Sequence, residues 1–192
     1  MTEMLPLFLN LSGRTVVLVG GGPVAAAKLR QLRAANAMVR VVAPAIVDDI
    51  ARESGAHVSI ARRGFEDADL DGAWLVVAAA TRGVNREVAE AAAARRLFVN
   101  AVDDPANATA FLSGVVRRSG VTLAISTAGD APALTALLRE AIDAVLPDDL
   151  ERWLQSARDT RAVWRRDGVA IGARKPQLLR ALNELYAEVP WQ

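Results

Sequence analysis

Three small residues at fixed spacing, Gly20-x-Gly22-x-x-Ala25, stand between the apolar run Thr15–Val19 and an alanine-rich helical pattern. This spacing suits the pyrophosphate of a dinucleotide. Gly20 permits a tight turn, Gly22 lets a phosphate approach the backbone, and Ala25 allows close packing of helix on strand. The start of the following helix adds unpaired N–H groups and a positive partial charge. Pro23 removes one of those donors, so the cradle departs from its usual form, and a purely structural turn is the alternative reading. The customary partner of such a motif is an acid about 20 residues on, at the end of the second strand, where it holds the ribose hydroxyls. Here that stretch is Arg40-Val41-Val42-Ala43-Pro44, without an acid. The choice between NAD and NADP is therefore open, with Arg40 either an attractor of a 2′-phosphate or a solvated charge beside a strand.

A second group with chemical capacity lies in Asn100-Ala101-Val102-Asp103-Asp104-Pro105. Asp103 follows an apolar run at what should be the carboxyl end of a strand, where open α/β sheets place their ligand crevice. A positioned carboxylate there can accept a proton. The competing role is a turn or capping aspartate before Pro105, and Asp104 competes with Asp103 for either role. Ser126 and Thr127 precede a helix that starts near Pro132, where ordering the turn is role enough for their hydroxyls. His57 is expected at the surface, and Trp153, Trp164 and Trp191 are expected as packing anchors rather than stacking surfaces.

The elements that must position these residues alternate. Strands are expected at Thr15–Val19, Val39–Val42, Val58–Ala61, Trp74–Ala79 and Phe98–Ala101, with helices at Val24–Ala35 and Arg86–Arg95. That alternation is the pattern of βαβ units and a parallel sheet. Beyond Pro105 the pattern changes. Phe111–Val116, the turn Arg117-Arg118-Ser119-Gly120 and Val121–Ile125 predict an antiparallel pair outside the parallel sheet. Pro132–Val145 predicts a helix with Pro132 in its first turn. From Asp148 the pattern is helical and more polar, with Gly168 and Gly172 separating two helices.

Composition narrows the function. The chain has 192 residues, 52% hydrophobic and 23% charged, enough to bury a core. A formal net charge of +1 is too balanced for a phosphate-neutralising nucleic-acid binder. The absence of cysteine excludes disulfides, thiolate catalysis and zinc-ribbon sites together, and with one histidine any protein metal site would have to be built from carboxylates. The N-terminus lacks a basic segment, and no apolar run approaches the length of a membrane span, so a soluble, cytoplasmic protein is expected. Residues 151–192 carry eight Lys/Arg against five acids, a modestly basic tail.

The pieces LPLFLNLSGRTVVLVGGGPVAAAK, VRVVAP, LDGAWLVVAAAT with Asn85, FVNAVDDP, AFLSGVV and ISTAGDAPALTALLRE occur in one order along almost the whole chain. In this the sequence resembles the siroheme synthase N-terminal region, the precorrin-2 dehydrogenase/sirohydrochlorin ferrochelatase family. The resemblance implies an α/β fold: a Rossmann-type NAD-binding domain over residues 1–110, a β-hairpin/helix dimerisation segment over 111–147 and a small helical C-terminal subdomain over 148–192. It implies a homodimer and a tetrapyrrole cleft. Because the chain stops at Gln192, the fused methyltransferase of some members is not expected, and a separate uroporphyrinogen methyltransferase would supply the substrate.

By the same resemblance, Asp103 is the catalytic base. Gly20, Gly22, Pro23, Val24, Pro44, Ala45 and Thr81 meet the cofactor, with Asn85 near it. Asn100, Ser126, Thr127 and Gly129 meet the tetrapyrrole. The implied reaction is NAD-dependent oxidation of precorrin-2 to sirohydrochlorin. Fe2+ enters only as a substrate, for ferrous insertion giving siroheme, since some members are dehydrogenases only. A homologue is phosphorylated at the position of Thr127, and threonine in place of serine leaves that regulation open. A reading from another class is an NAD(H)-sensing regulatory module without turnover, which the glycine motif would serve equally well.

Overall fold

The computed structural model describes residues 4–112 and 114–187; Trp191 lies outside them. The chain divides into two compact units, one of residues up to 112 with 128–130, the other of 113–127 with the remainder.

In the first unit, β1 (Thr15–Val19), β2 (Met38–Val42), β3 (Val58–Ala61), β4 (Leu75–Ala78) and β5 (Phe98–Ala101) form one parallel sheet in the order β3-β2-β1-β4-β5. Helices cover both faces. Val16, Leu18, Val39, Val41, Leu75 and Val77 pack with Ala25, Ala26, Leu29 and Leu32 of α1 (Pro23–Ala34) and with Ile50 of the short α2 (Asp48–Ala51). The alternate residues Val17, Val19, Val76, Ala78, Val99 and Ala101 pack with Val88, Ala91 and Ala92 of α3 (Arg82–Ala94). Burial on both sides explains why these strands read as unbroken apolar runs rather than as alternating ones.

The edge of β5 is closed by the chain that follows it. Val99 donates its N–H to Thr109 Oγ1 at 2.9 Å, and its carbonyl accepts the N–H groups of Thr109 and Ala110 at 2.8 Å. This satisfies edge groups that would otherwise invite another strand. A buried carboxylate, Asp69, ties down the irregular stretch between β3 and β4. It takes two bonds from the Arg63 guanidinium, at 2.6 and 2.8 Å, and one from the Glu66 N–H at 2.9 Å.

The second unit opens with the antiparallel hairpin β6 (Gly114–Arg118) and β7 (Val121–Ile125). The hairpin is expected, but its turn is shorter than the sequence suggests. Only Ser119 and Gly120 turn, with φ of 48° and 82°, the two-residue geometry that matches strand twist, so Arg117 and Arg118 belong to β6. Arg118 then binds the Leu146 carbonyl and Asp143 at the end of α4 (Pro132–Val145), at 2.7 and 2.9 Å.

Two helices complete this unit, α5 (Leu150–Arg166) and α6 (Ile171–Ala187). Gly168, at φ 64°, ends α5, and the Val169 N–H returns to the Trp164 carbonyl at 3.1 Å. Gly172 does not separate the helices, being the second residue of α6. Buried Trp164 bonds Gln177 across the pair at 2.6 Å, and Trp153 bonds Tyr186, whose hydroxyl reaches Asp149. Trp164 is thus a packing anchor, and Trp153 is tied to α6 through its ring N–H.

Candidate functional site

The strand order reverses direction between β1 and β4, and a parallel sheet opens a crevice at that point beyond its carboxyl ends. The turns leaving β1, β4 and β5 build its rim. Gly20 has φ 131°, a region closed to side chains, and a Cβ there would stand 2.7 Å from the Ala79 carbonyl carbon just past β4. Its N–H is held by the Val42 carbonyl at 3.0 Å. Gly21 is equally confined. A Cβ on it would stand 2.9 Å from the Ala45 carbonyl carbon, and its own carbonyl accepts the Val47 N–H at 2.8 Å.

Gly22 differs. Its backbone, φ −86° and ψ −174°, suits any residue, and nothing lies within 4 Å of where a Cβ would be. Glycine at this position leaves open space beside the start of α1. Pro23 is the first residue of that helix, and its first turn contains no acid. The N–H groups of Val24 and Ala25 fall in the turn where no helical carbonyl can accept them. Ala25 is fully buried against the sheet, as the small residue of the motif must be.

The rim continues at α3, which starts at Arg82 rather than at the expected Arg86. Thr81 precedes it as an exposed residue, and its carbonyl accepts the Asn85 N–H at 2.8 Å. Buried Asn85 turns its Oδ1 to the Ala80 N–H, 3.1 Å away. Asn85 thereby fixes the corner against which Gly20 packs. Pro44 and Ala45, both exposed, lie in the loop pressed on Gly21.

At the end of β5 the two aspartates have different environments. Asp104 accepts a bond from the Asn107 side chain at 2.9 Å, and its carbonyl takes the Asn107 N–H at 3.1 Å, closing a short 3-10 turn over Pro105–Asn107. Asp103 stands in the left-handed region at φ 54°, exposed, and accepts no hydrogen bond among the described residues. The turn-capping role therefore falls to Asp104, and Asp103 is left with a carboxylate for other work. Lys28 stands half-buried on α1. Burial pushes the Lys28 ammonium below its ordinary value, and the negative charge of Asp103 pulls it back up.

Asn100 is buried in the middle of β5, opposite Val77 and so on the face covered by α1. Its amide nitrogen donates to the Ala110 carbonyl at 3.0 Å, while its Oδ1 has no partner among the described residues. A buried carbonyl oxygen without a donor is uncommon and costly, and marks a place to look for a ligand N–H. Gly129, at φ 88°, has Pro105 and Phe111 beside it in the same unit. Ser126 and Thr127 belong to the second unit. Thr127 Oγ1 accepts the Ala131 N–H at 3.2 Å and shares a bond with Thr135 Oγ1 at 3.0 Å, which orders the turn into α4.

Other expected residues take structural places. Arg40 donates to the Asp69 carbonyl, 2.7 Å away, from the middle of β2, and His57 is exposed. Gly21, Lys28 and Asn85's tie to Ala80 are features that motif spacing does not reveal. Consecutive glycines are the signal that could have exposed Gly21. A dinucleotide fits this rim on structural grounds, since the pyrophosphate would meet open space at Gly22 and unopposed N–H groups at α1.

Comparison with known proteins agrees with this geometry. A family model described as putative NAD(P)-binding matches residues 7–114. The siroheme synthase of Pseudomonas entomophila is 43% identical over 149 residues, 76% of this chain and 32% of that protein. Siroheme synthase 1 of Aeromonas salmonicida is 38% identical over 183 residues, 94% of this chain and 39% of that one. The chain thus spans about a third of the length of these relatives. A solved structure of SirC, a precorrin-2 dehydrogenase, superposes with a TM-score of 0.72 at 24% identity, covering 92% of this chain and 88% of that one, a likeness of fold.

Proposed function

The chain belongs to the NAD(P)-binding family, and from that premise we propose that it is an NAD-dependent precorrin-2 dehydrogenase of siroheme biosynthesis, yielding sirohydrochlorin. The observation that carries the reading is the pairing, on one crevice rim, of an open cradle at Gly22 with an exposed, uncommitted carboxylate at Asp103. The similarity to siroheme synthases over most of this chain supports the choice of substrate.

In this reading Gly20, Gly22, Pro23 and Val24 hold the pyrophosphate, with Pro44, Ala45 and Thr81 around the rest of the nucleotide. When bound, NAD supplies the hydride acceptor. Asp103 accepts the proton that leaves the macrocycle, and its freedom from the 3-10 turn lets it approach the ring. Asn100 Oδ1 offers an acceptor to a pyrrole N–H. Gly21 and Asn85 keep the phosphate cradle from moving, which conserves the alignment on which positioning depends. Ser126, Thr127 and Gly129 serve the tetrapyrrole, and the segment 111–147 joins two copies into a homodimer, with residues 148–192 as a helical subdomain.

The test is anaerobic mixing of the protein with precorrin-2 and NAD, followed by absorbance. Stoichiometric NADH and sirohydrochlorin bear out the proposal. NAD binding without either product assigns the chain to the sensing class instead. Ferrous insertion is measured separately, by adding Fe2+ to sirohydrochlorin with and without the protein.

A further inference from the structure

We infer that Lys28 is a substrate-positioning residue, whose ammonium takes a carboxylate of the tetrapyrrole at the crevice and holds the ring beside Asp103. The inference rests on the reading above and adds a binding group to it.

Lys28 sits six residues after Gly22, about 9 Å along α1 from the phosphate cradle at 1.5 Å per residue. Side chains on a helix lean towards its N-terminus, so the stem of Lys28 runs back towards the carboxyl edge of the sheet. A long stem covering apolar surface and ending at a polar rim is the usual arrangement for a half-buried lysine. Around it, Ala25, Ala26, Leu29 and Leu32 are buried in the core. Among the described residues the ammonium makes no hydrogen bond and no ion pair within 4 Å. Asp103, on another element, is the group whose charge it feels.

The contrast with the neighbouring arginines is informative. Arg30 and Arg52 meet Asp49, and Arg33 meets Glu53. Lys28 meets no carboxylate within 4 Å among the described residues, and the charge it feels is that of the candidate base. On the same face, Asn100 Oδ1 lacks a donor among the described residues. A ligand that presents a carboxylate to one and an N–H to the other satisfies both, and a carboxylate-bearing tetrapyrrole has both groups. The phosphates of the nucleotide are already provided for at the start of α1.

The experiment compares wild type, Lys28→Met and Lys28→Arg in the full chain. Methionine keeps the stem and removes the charge. Sirohydrochlorin affinity, KM for precorrin-2, NAD affinity and melting temperature are read together. Loss of a charge-assisted bond should weaken sirohydrochlorin binding and raise KM by about 10- to 100-fold in Lys28→Met. NAD affinity and melting should stay as in wild type, and arginine should recover most of the loss.

A drop in NAD affinity with sirohydrochlorin binding intact would assign the ammonium to a phosphate and overturn the inference, as would a change in stability alone. A second measurement avoids substitution at Lys28. The chain has only two lysines, Lys28 and Lys175, so isotope-labelled lysine gives two side-chain signals, assigned with Lys175→Arg. Saturating sirohydrochlorin should move the Lys28 signal, and a fixed signal overturns the inference. If wild type binds no sirohydrochlorin, the reading of function falls and takes this inference with it. If wild type binds and Lys28→Met binds equally, only the inference falls.

Discussion

The Cα of Gly20 lies against the carbonyl of Ala79, so close that a Cβ would stand 2.7 Å from the carbonyl carbon. The two residues leave β1 and β4, the strands between which the sheet changes direction. Their contact locks the phosphate loop to the neighbouring corner. The three consecutive glycines therefore have separable roles. Gly20→Ala and Gly21→Ala each force backbone apart and should cost roughly 2–4 kcal/mol of stability, at the severe end for single substitutions. Gly22→Ala should leave stability unchanged, and Gly22→Val should fold but lose NAD binding and dehydrogenation together, with any chelation spared. Urea unfolding and NAD titration separate the three. Unchanged NAD affinity in folded Gly22→Val would remove the cradle from the mechanism.

The Arg63–Asp69 pair makes a prediction about acid stability. Hydrogen bonds from Arg63 hold the Asp69 carboxyl below the usual carboxylate range, outweighing the opposite effect of burial, with help from the Glu66 N–H. A depressed carboxyl in the folded state contributes stability that is fully present above the unfolded value, about 3.9, and is lost as pH falls through the lower folded value. Asp69→Asn should therefore flatten the decline of stability below about pH 4 while lowering stability at neutral pH by about 1–3 kcal/mol. Denaturant midpoints measured from pH 7 down to pH 3 test both, and parallel curves for the two proteins would refute the assignment.

Much of this was legible from the chain because local signals and global needs coincide. β1, β3, β5, β7 and α4 begin and end where the sequence indicates, each being an apolar run punctuated by glycine, proline or polar residues. The start of α3 was hidden because Arg82-Gly83-Val84 contains a weak helix former. What extends the helix is the tie from Asn85 to the β4 corner, a contact made only after folding. Gly21 is a variable position in the dinucleotide motif, and its confinement depends on a loop 24 residues away at Ala45. The attraction of Lys28 to Asp103 exists only once β5 has been added beside β4. The residues that sequence placed well are those whose role is local, and those it missed act across strands.

A prediction about assembly follows from α4, on which Leu134, Leu137 and Leu138 share one face and are 47%, 62% and 38% exposed. Three adjacent leucines in water favour burial against another copy, as the proposed homodimer requires. Sedimentation should give a dimer at micromolar concentration. Leu137→Glu should shift it to monomer without loss of helix content by circular dichroism. A wild-type chain that sediments as an active monomer would contradict the proposal.

The last prediction concerns the two adjacent aspartates. Asp104 is engaged with Asn107, and Asp103 is exposed in a left-handed turn with its carboxylate unbonded among the described residues. Asparagine is well tolerated in that turn, so Asp103→Asn should fold normally. It retains size and an acceptor oxygen but cannot take up a proton. Dehydrogenation should fall by about 10²–10⁴-fold, the range for a positioned proton acceptor, with NAD affinity unchanged. Asp104→Asn keeps an oxygen for Asn107 and should retain activity with at most a small loss of stability. An inactive Asp104→Asn beside a normal Asp103→Asn would move the base by one residue. If both variants keep full activity, neither carboxylate takes the proton, and its removal must fall to solvent or to a carboxylate of the substrate.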